Sequence, residues 1–175
     1  LSVSDTNKKL ENFDNVTFTD PPRKQVLYPD HCVEESSGAE FTDGLNVPER
    51  AKIVLKGIES LVDSYSAFMD NEALKKSELD SELRSLGVDA VVGCGLAYDI
   101  CVAETMKDAA KLGYYAAVVR DASAGLSIDG IGRAENDFAD HRVAIIRSSD
   151  VASIVSGKNL PFEWIEKAFQ DIVSS

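Results

Sequence analysis

Residues 77–119 read SELDSELRSLGVDAVVGCGLAYDICVAETMKDAAKLGYYAAVV, and they repeat one grammar: a helical run, Leu-Gly, then an apolar strand. The first helical run ends at Leu86-Gly87 and leads into VDAVVGCG; the second ends at Leu112-Gly113 and leads into YYAAVVRDA. Gly87 and Gly113 stand where a helix C-terminus needs a residue at positive φ, which glycine adopts without a Cβ penalty. Residues 88–94 and 114–119 are nearly unbroken apolar stretches, the pattern of strands covered on both faces. Helices alternating with such strands imply βαβ units. The expected fold is therefore α/β, a doubly wound and mostly parallel sheet with helices on both faces.

Working outward, residues 51–56 (AKIVLK) and 141–147 (HRVAIIR) read as two further strands. A closing helix starts at Pro161, since proline suits a first helical turn. Its Phe162, Ile165, Phe169 and Ile172 recur at helical spacing, so that face is expected to pack on the sheet. Residues 1–30 are polar, hold Pro21-Pro22 and show little periodicity. They read as a loop-like segment ahead of an α/β body at 31–175, within a single domain at 1–175.

Composition narrows the partners. At 175 residues a single domain buries about 70% of its unfolded surface. Lysine and arginine against aspartate and glutamate give 18 − 30 = −12, which opposes binding to a phosphate backbone. No Lys/Arg run exceeds a pair, so nucleic acid is excluded and a small molecule or protein is expected. No apolar run approaches the roughly 18 residues that span a bilayer, so no membrane partner is expected. The first fifteen residues hold no apolar segment of signal-peptide type. Three cysteines at uneven spacings do not form a disulfide framework, which fits reduced thiols in the cytoplasm or nucleus.

In an open parallel sheet, ligands bind beyond the carboxyl ends of the strands. That rule separates two of the cysteines. Cys94 lies inside a strand and reads as core. Cys101 follows the strand by the turn GLAYDI and opens the next helix, where the helix dipole and unpaired N–H groups favour a thiolate and can form an oxyanion hole. A buried cysteine at a helix start is the alternative. Lys56 ends a strand before Gly57 and points to the same rim, as catalyst or as solvated charge. His31, in YPDHCV beside Cys32, is a metal ligand through neutral imidazole or a plain loop residue. The two adjacent side chains are poorly spaced to share one ion. His141 reads as a strand-edge residue. Cys94 and Cys101 lack Cys-x-x-Cys spacing, which weakens a thiol redox reading.

Four blocks in order, YPDHCVEESSGAEF, LKG, DSYSAFMDN and VVGCGLAYDICVAETMKDAAKLGY with the following DASAGL, resemble the nicotinamidase branch of the isochorismatase-like cysteine hydrolases. The resemblance is strongest to the animal-type members and spans roughly residues 15–150. It implies the isochorismatase-like hydrolase fold and hydrolysis of nicotinamide to nicotinate and ammonia, in NAD salvage. Cys101 matches the nucleophile and Lys56 the catalytic lysine. The turn before Cys101 matches an oxyanion loop with a cis peptide ahead of Ala97, whose N–H would act with that of Cys101. Tyr28 and Tyr65 match aromatic residues of the substrate pocket. His31 matches one ligand of a divalent metal, zinc first, with iron or manganese as alternatives.

The resemblance also implies an aspartate closing an apolar strand in an Asp-x-Gln pattern, and further metal ligands in an Asp-x-His segment. Neither pattern occurs here, and Asp5, Asp14 and Asp20 match neither. Aligned by its blocks, the chain starts after the family's first two strands. The expectation is a fold with its N-terminal part missing, most metal ligands outside the chain and low isolated activity. The sheet would be completed by a complementing N-terminal fragment, by the chain's own segment or by a partner such as a homo-oligomer. The rival readings are a metal-independent small-amide hydrolase of the same superfamily and a catalytically impaired binding protein.

Overall fold

The computed structural model describes residues 9–20 and 22–174. Contacts divide the chain into two units, residues 1–51 and 52–175.

The first unit is built on an antiparallel pair, β1 (Asn15–Thr19) and β2 (Pro22–Val26), with Asn15 opposite Val26 and Thr19 opposite Pro22. The segment read as loop-like therefore carries a hairpin. The alternation in NVTFT accounts for it: Val16 and Phe18 share one face, with Val16 buried, and threonines take the other, as a two-faced strand requires. The Arg23 guanidinium lies over the Phe18 ring at 5.1 Å. Of the three aspartates weighed above, Asp5 lies outside the described residues.

In the second unit the chain runs α1 (Leu79–Ser85), β3 (Ala90–Leu96), a π-helical turn (Tyr98–Val102), α2 (Ala103–Lys111), β4 (Tyr115–Ala124), α3 (Ile128–His141), β5 (Ala144–Ile146), α4 (Val151–Val155) and α5 (Phe162–Val173). The strands pair in parallel in the order β3-β4-β5. Both Leu-Gly punctuations end helices as expected, with φ of +67° at Gly87 and +96° at Gly113. Beyond them the Val88 N–H donates to Leu83 O and the Tyr114 N–H to Ala109 O, both at 3.0 Å. These bonds satisfy last-turn carbonyls that a helix end leaves open.

Period-two alternation along β4 divides the core. Ala116 and Val118 face α2 and α3, packing with Met106, Phe138 and Tyr98. Ala117 and Val119 face the other way, onto Ile154 of α4 and Trp164 of α5. Helices thus cover both faces of the parallel sheet, as the sequence pattern implied. Gly93 lets α2 approach β3, since a Cβ there would stand 2.7 Å from the Met106 sulfur.

Six further expectations need correction. Residues 51–56 form no strand: they find no ladder partner among the described residues, and a β-prone run without a partner has nothing to hold it as a strand. His141 is the last residue of α3 rather than a strand edge, its Nδ1–H donating to Asp137 O at 2.8 Å, and β5 keeps only three residues of the expected strand. The expected strand at 114–119 continues to Ala124. Cys94 is exposed, not core. Val92, two residues earlier, packs toward Trp164, but Cys94 falls at the register shift between Gly93 and Gly95 and has no partner in the β4 register. Finally, α5 packs by another face. Trp164 is buried and donates its indole N–H to Ala116 O at 2.8 Å, while Phe162, Ile165, Phe169 and Ile172 are exposed. One large aromatic with a polar anchor outweighs the more conspicuous stripe.

Candidate active site

The carboxyl end of β3 runs straight into the turn that presents Cys101. The Leu96–Ala97 peptide is cis, at the position the resemblance implied. The Ala97 carbonyl then accepts N–H groups from Ile100 at 3.1 Å and Val102 at 3.0 Å, closing the turn on itself. Tyr98 is fully buried beneath it, with its ring edge-on to Phe138 at 5.6 Å. Its hydroxyl donates to Glu135 Oε1 at 3.4 Å, and the Arg120 guanidinium lies 4.6 Å from its ring centroid. Burial, with the Glu135 carboxylate adding to it against Arg120, pushes the Tyr98 phenol up to about 12. The group is therefore a neutral donor at any physiological pH.

Cys101 is half-buried, and Lys56 reaches it. The ammonium donates to the Cys101 sulfur at 3.4 Å and to the Ser64 carbonyl at 2.6 Å. The sequence argument brought Lys56 to the rim as the last residue of a strand. The structure brings it there from a segment without regular secondary structure, held by the Ser64 carbonyl. The chain just beyond Ser64 is tied to the Cys101 turn: the Ala67 N–H donates to Thr105 Oγ1 at 2.9 Å, and the Thr105 hydroxyl donates to Cys101 O at 2.7 Å. The Asp70 carboxylate accepts N–H groups from Glu72, Leu74 and Lys75 at 2.7–3.0 Å. Burial alone would push Asp70 up, but these backbone donors outweigh it and hold the carboxyl below its ordinary range.

Ser64 and Thr105 carry no signal in a one-dimensional reading. A threonine four residues after the candidate cysteine is the only trace, because its hydroxyl can reach the i−4 carbonyl. Tyr65 donates its N–H to Asn71 Oδ1 at 2.9 Å and lines an open cavity of about 550 Å³ with Met69, Glu104 and Lys111. Cys101, Lys56 and Ala97 do not line that cavity.

Tyr28 and His31 belong to the first unit. The Tyr28 ring packs edge-on against Phe13 at 6.1 Å and His31 at 6.2 Å. His31 Nδ1 lies 2.7 Å from Pro29 O. A carbonyl only accepts, so Nδ1 carries the proton and Nε2 offers its lone pair in the neutral ring. Among the described residues, however, no three His, Cys, Asp or Glu side chains stand together as a metal would need. One imidazole is not a metal centre, so these residues by themselves do not fit the expected ion. Among the described residues, neither Cys101 nor Lys56 pairs with a carboxylate.

The isochorismatase domain model matches residues 5–151. The nicotinamidase of Escherichia coli K12 is 43% identical over 104 residues, covering 59% of this chain and 49% of that protein. The chain thus spans about half the length of that relative. Among solved structures, an Acinetobacter baumanii nicotinamidase pyrazinamidease superposes with a TM-score of 0.76 at 34% identity, over 83% of this chain and 70% of the other. The Pyrococcus horikoshii pyrazinamidase, solved in complex with zinc, gives 0.61 at 32% identity, over 69% and 63%.

Proposed function

We propose that this chain, which belongs to the isochorismatase family, hydrolyses nicotinamide to nicotinate and ammonia through a thioester on Cys101. The observation that carries this reading is the contact of the Lys56 ammonium with the Cys101 sulfur, 3.4 Å apart at the carboxyl end of β3. Likeness to nicotinamidases supports the substrate.

The chemistry follows from the turn. The Cys101 thiolate, held by the charge-assisted donor of Lys56, adds to the carboxamide carbon. Negative charge moves to the carbonyl oxygen, and the N–H groups of Ala97 and Cys101 are the donors that bind it. The C–N bond then breaks as the nitrogen takes a proton from the Lys56 ammonium and leaves as ammonia, and a nicotinoyl thioester remains. Water passes a proton to the neutral Lys56 amine as it adds to the thioester carbon, and collapse of that adduct releases nicotinic acid, which ionises to nicotinate, and restores the Cys101 thiolate. Lys56 is, among the described residues, the protonated side chain in contact with that sulfur. Zinc, present in the Pyrococcus relative's structure, would meet a single imidazole at His31, and no step runs through it.

The test is ammonia release from nicotinamide by the purified chain beside Cys101→Ala. Release that disappears in the variant is the expected result. Equal release from both, or none from the parent chain, would overturn the reading.

A further inference from the structure

We propose that Asp99 is a positioning residue that holds the Ala97–Cys101 turn in register for acyl transfer, by clamping it to the loop that follows β4. The proposal rests on the reading of Cys101 as nucleophile.

The Asp99 carboxylate lies between the two residues whose N–H groups bind the oxyanion. Its Oδ1 accepts the Leu126 N–H at 2.9 Å and its Oδ2 the Ser127 N–H at 3.2 Å. Both donors sit at the entrance of α3, whose N-cap is Ser127, so the fourteen-residue helix turns its positive end toward the carboxylate. The loop is shaped around this group. A Cβ on Gly130 would fall 2.2 Å from Asp99 Oδ2, and one on Gly125 would fall 2.9 Å from Oδ1. Two glycines therefore clear space for one carboxylate. Tyr98 already fixes the turn from below through Glu135 and Phe138. Asp99 fixes it from the side, so together they remove rotation of the segment that presents the N–H pair. A misplacement of about 1 Å in such a group costs about 10²-fold in rate.

A matched control exists on the same sheet. Asp121 also clamps two segments through two hydrogen bonds, from Ser148 N at 2.7 Å and Ser148 Oγ at 2.9 Å, but takes no part in the Cys101 turn. The experiment measures p-nitrophenolate release from p-nitrophenyl acetate, in which the Cys101 sulfur takes the acetyl group and p-nitrophenolate leaves. Iodoacetamide alkylation of Cys101 and urea unfolding are measured in parallel. Every protein carries Cys32→Ser and Cys94→Ser, because both of those thiols are exposed.

Asp99→Ala is expected to slow ester acylation about 100-fold and Asp99→Asn about 10-fold. Alkylation, which needs no oxyanion hole, should stay within about threefold, and Asp121→Asn should acylate within about twofold of the parent. Acylation within twofold in Asp99→Ala overturns the proposal. So does a parallel fall in alkylation, or a loss that Asp121→Asn reproduces at an equal drop in urea midpoint. Ester acylation that persists in Cys101→Ala overturns this proposal and the nucleophile reading together. Retained ester chemistry without ammonia release from nicotinamide removes only the substrate assignment and leaves Asp99 tested.

Discussion

The Lys56 ammonium donates both to the Cys101 sulfur, 3.4 Å away, and to the Ser64 carbonyl, 2.6 Å away. One cation therefore links the Cys101 thiol to the segment that runs through Ala67, bonded to Thr105, into the Asp70 turn. The second bond is what directs the first, because a lysine side chain free in solvent samples many rotamers and spends little time on any one partner.

Removing that cation should expose its role. Lys56→Ala is expected to lower nicotinamide turnover by about 10²–10⁴-fold, and to slow iodoacetamide alkylation of Cys101 at neutral pH. Lys56→Arg should not restore the rate, because a planar guanidinium does not reproduce a compact ammonium donor. Turnover of Lys56→Ala within a factor of two of the parent would remove the lysine from the mechanism.

The buried phenol at Tyr98 makes stability fall at high pH. Burial raises its folded-state value to about 12 from an ordinary value of 10. The unfolded chain therefore loses this proton first, and binds fewer protons than the folded chain between pH 10 and 12. The contribution is complete below pH 10 and is lost as pH rises through that window. Urea midpoints should drop more steeply across it for the parent than for Tyr98→Phe, which has no proton to lose. Parallel slopes for the two proteins would contradict the assignment.

Asp70 predicts the opposite limb. Its carboxyl is held below the ordinary range although burial opposes this, so its contribution is present above that range and disappears as pH falls through the lowered value. Asp70→Ala removes the acceptor of three backbone N–H groups and should cost about 2 kcal/mol near neutral pH. Hydrogen exchange at Glu72, Leu74 and Lys75 should accelerate together. Unchanged exchange at these amides would show that the turn stands without the carboxylate.

The two faces of α5 should respond differently to substitution. Trp164→Ala deletes a buried aromatic with its hydrogen bond to Ala116 O and is expected to cost about 3–5 kcal/mol. Phe169→Ser, at a side chain 64% exposed, should stay within about 0.5 kcal/mol. Chemical denaturation of both variants measures the contrast, and equal costs would return the Phe169 stripe to the core.

The parts of the fold readable from the chain were those set by local rules. Gly87 and Gly113 marked helix ends because few other residues adopt their φ cheaply. The apolar runs beside them became β3 and β4 because nearly unbroken hydrophobicity suits a strand covered on both faces, which β4 is at residues 116–119, while β3 stays half-buried or exposed along its length. Where local rules competed, the reading failed. AKIVLK has strand composition but no ladder partner among the described residues. The stripe of α5 has helical spacing, yet the face holding a single tryptophan took the sheet. NVTFT was overlooked because five residues give a weak alternation against a polar background.

The site divides along the same line. The sequence by itself determined that a cysteine would follow a strand within a few residues, because strand and turn are contiguous and obey nearest-neighbour geometry. The structure keeps Gly95 and Leu96 in β3 and sets Cys101 inside the π-helical turn Tyr98–Val102, ahead of α2, rather than at the opening of a helix. Only the tertiary structure decided which groups meet that cysteine. Lys56 arrives from 45 residues away by way of the Ser64 carbonyl, and Asp99 finds its donors 27 and 28 residues downstream. Hydrogen bonds select partners by distance and direction in space, and neither is a function of position along the chain.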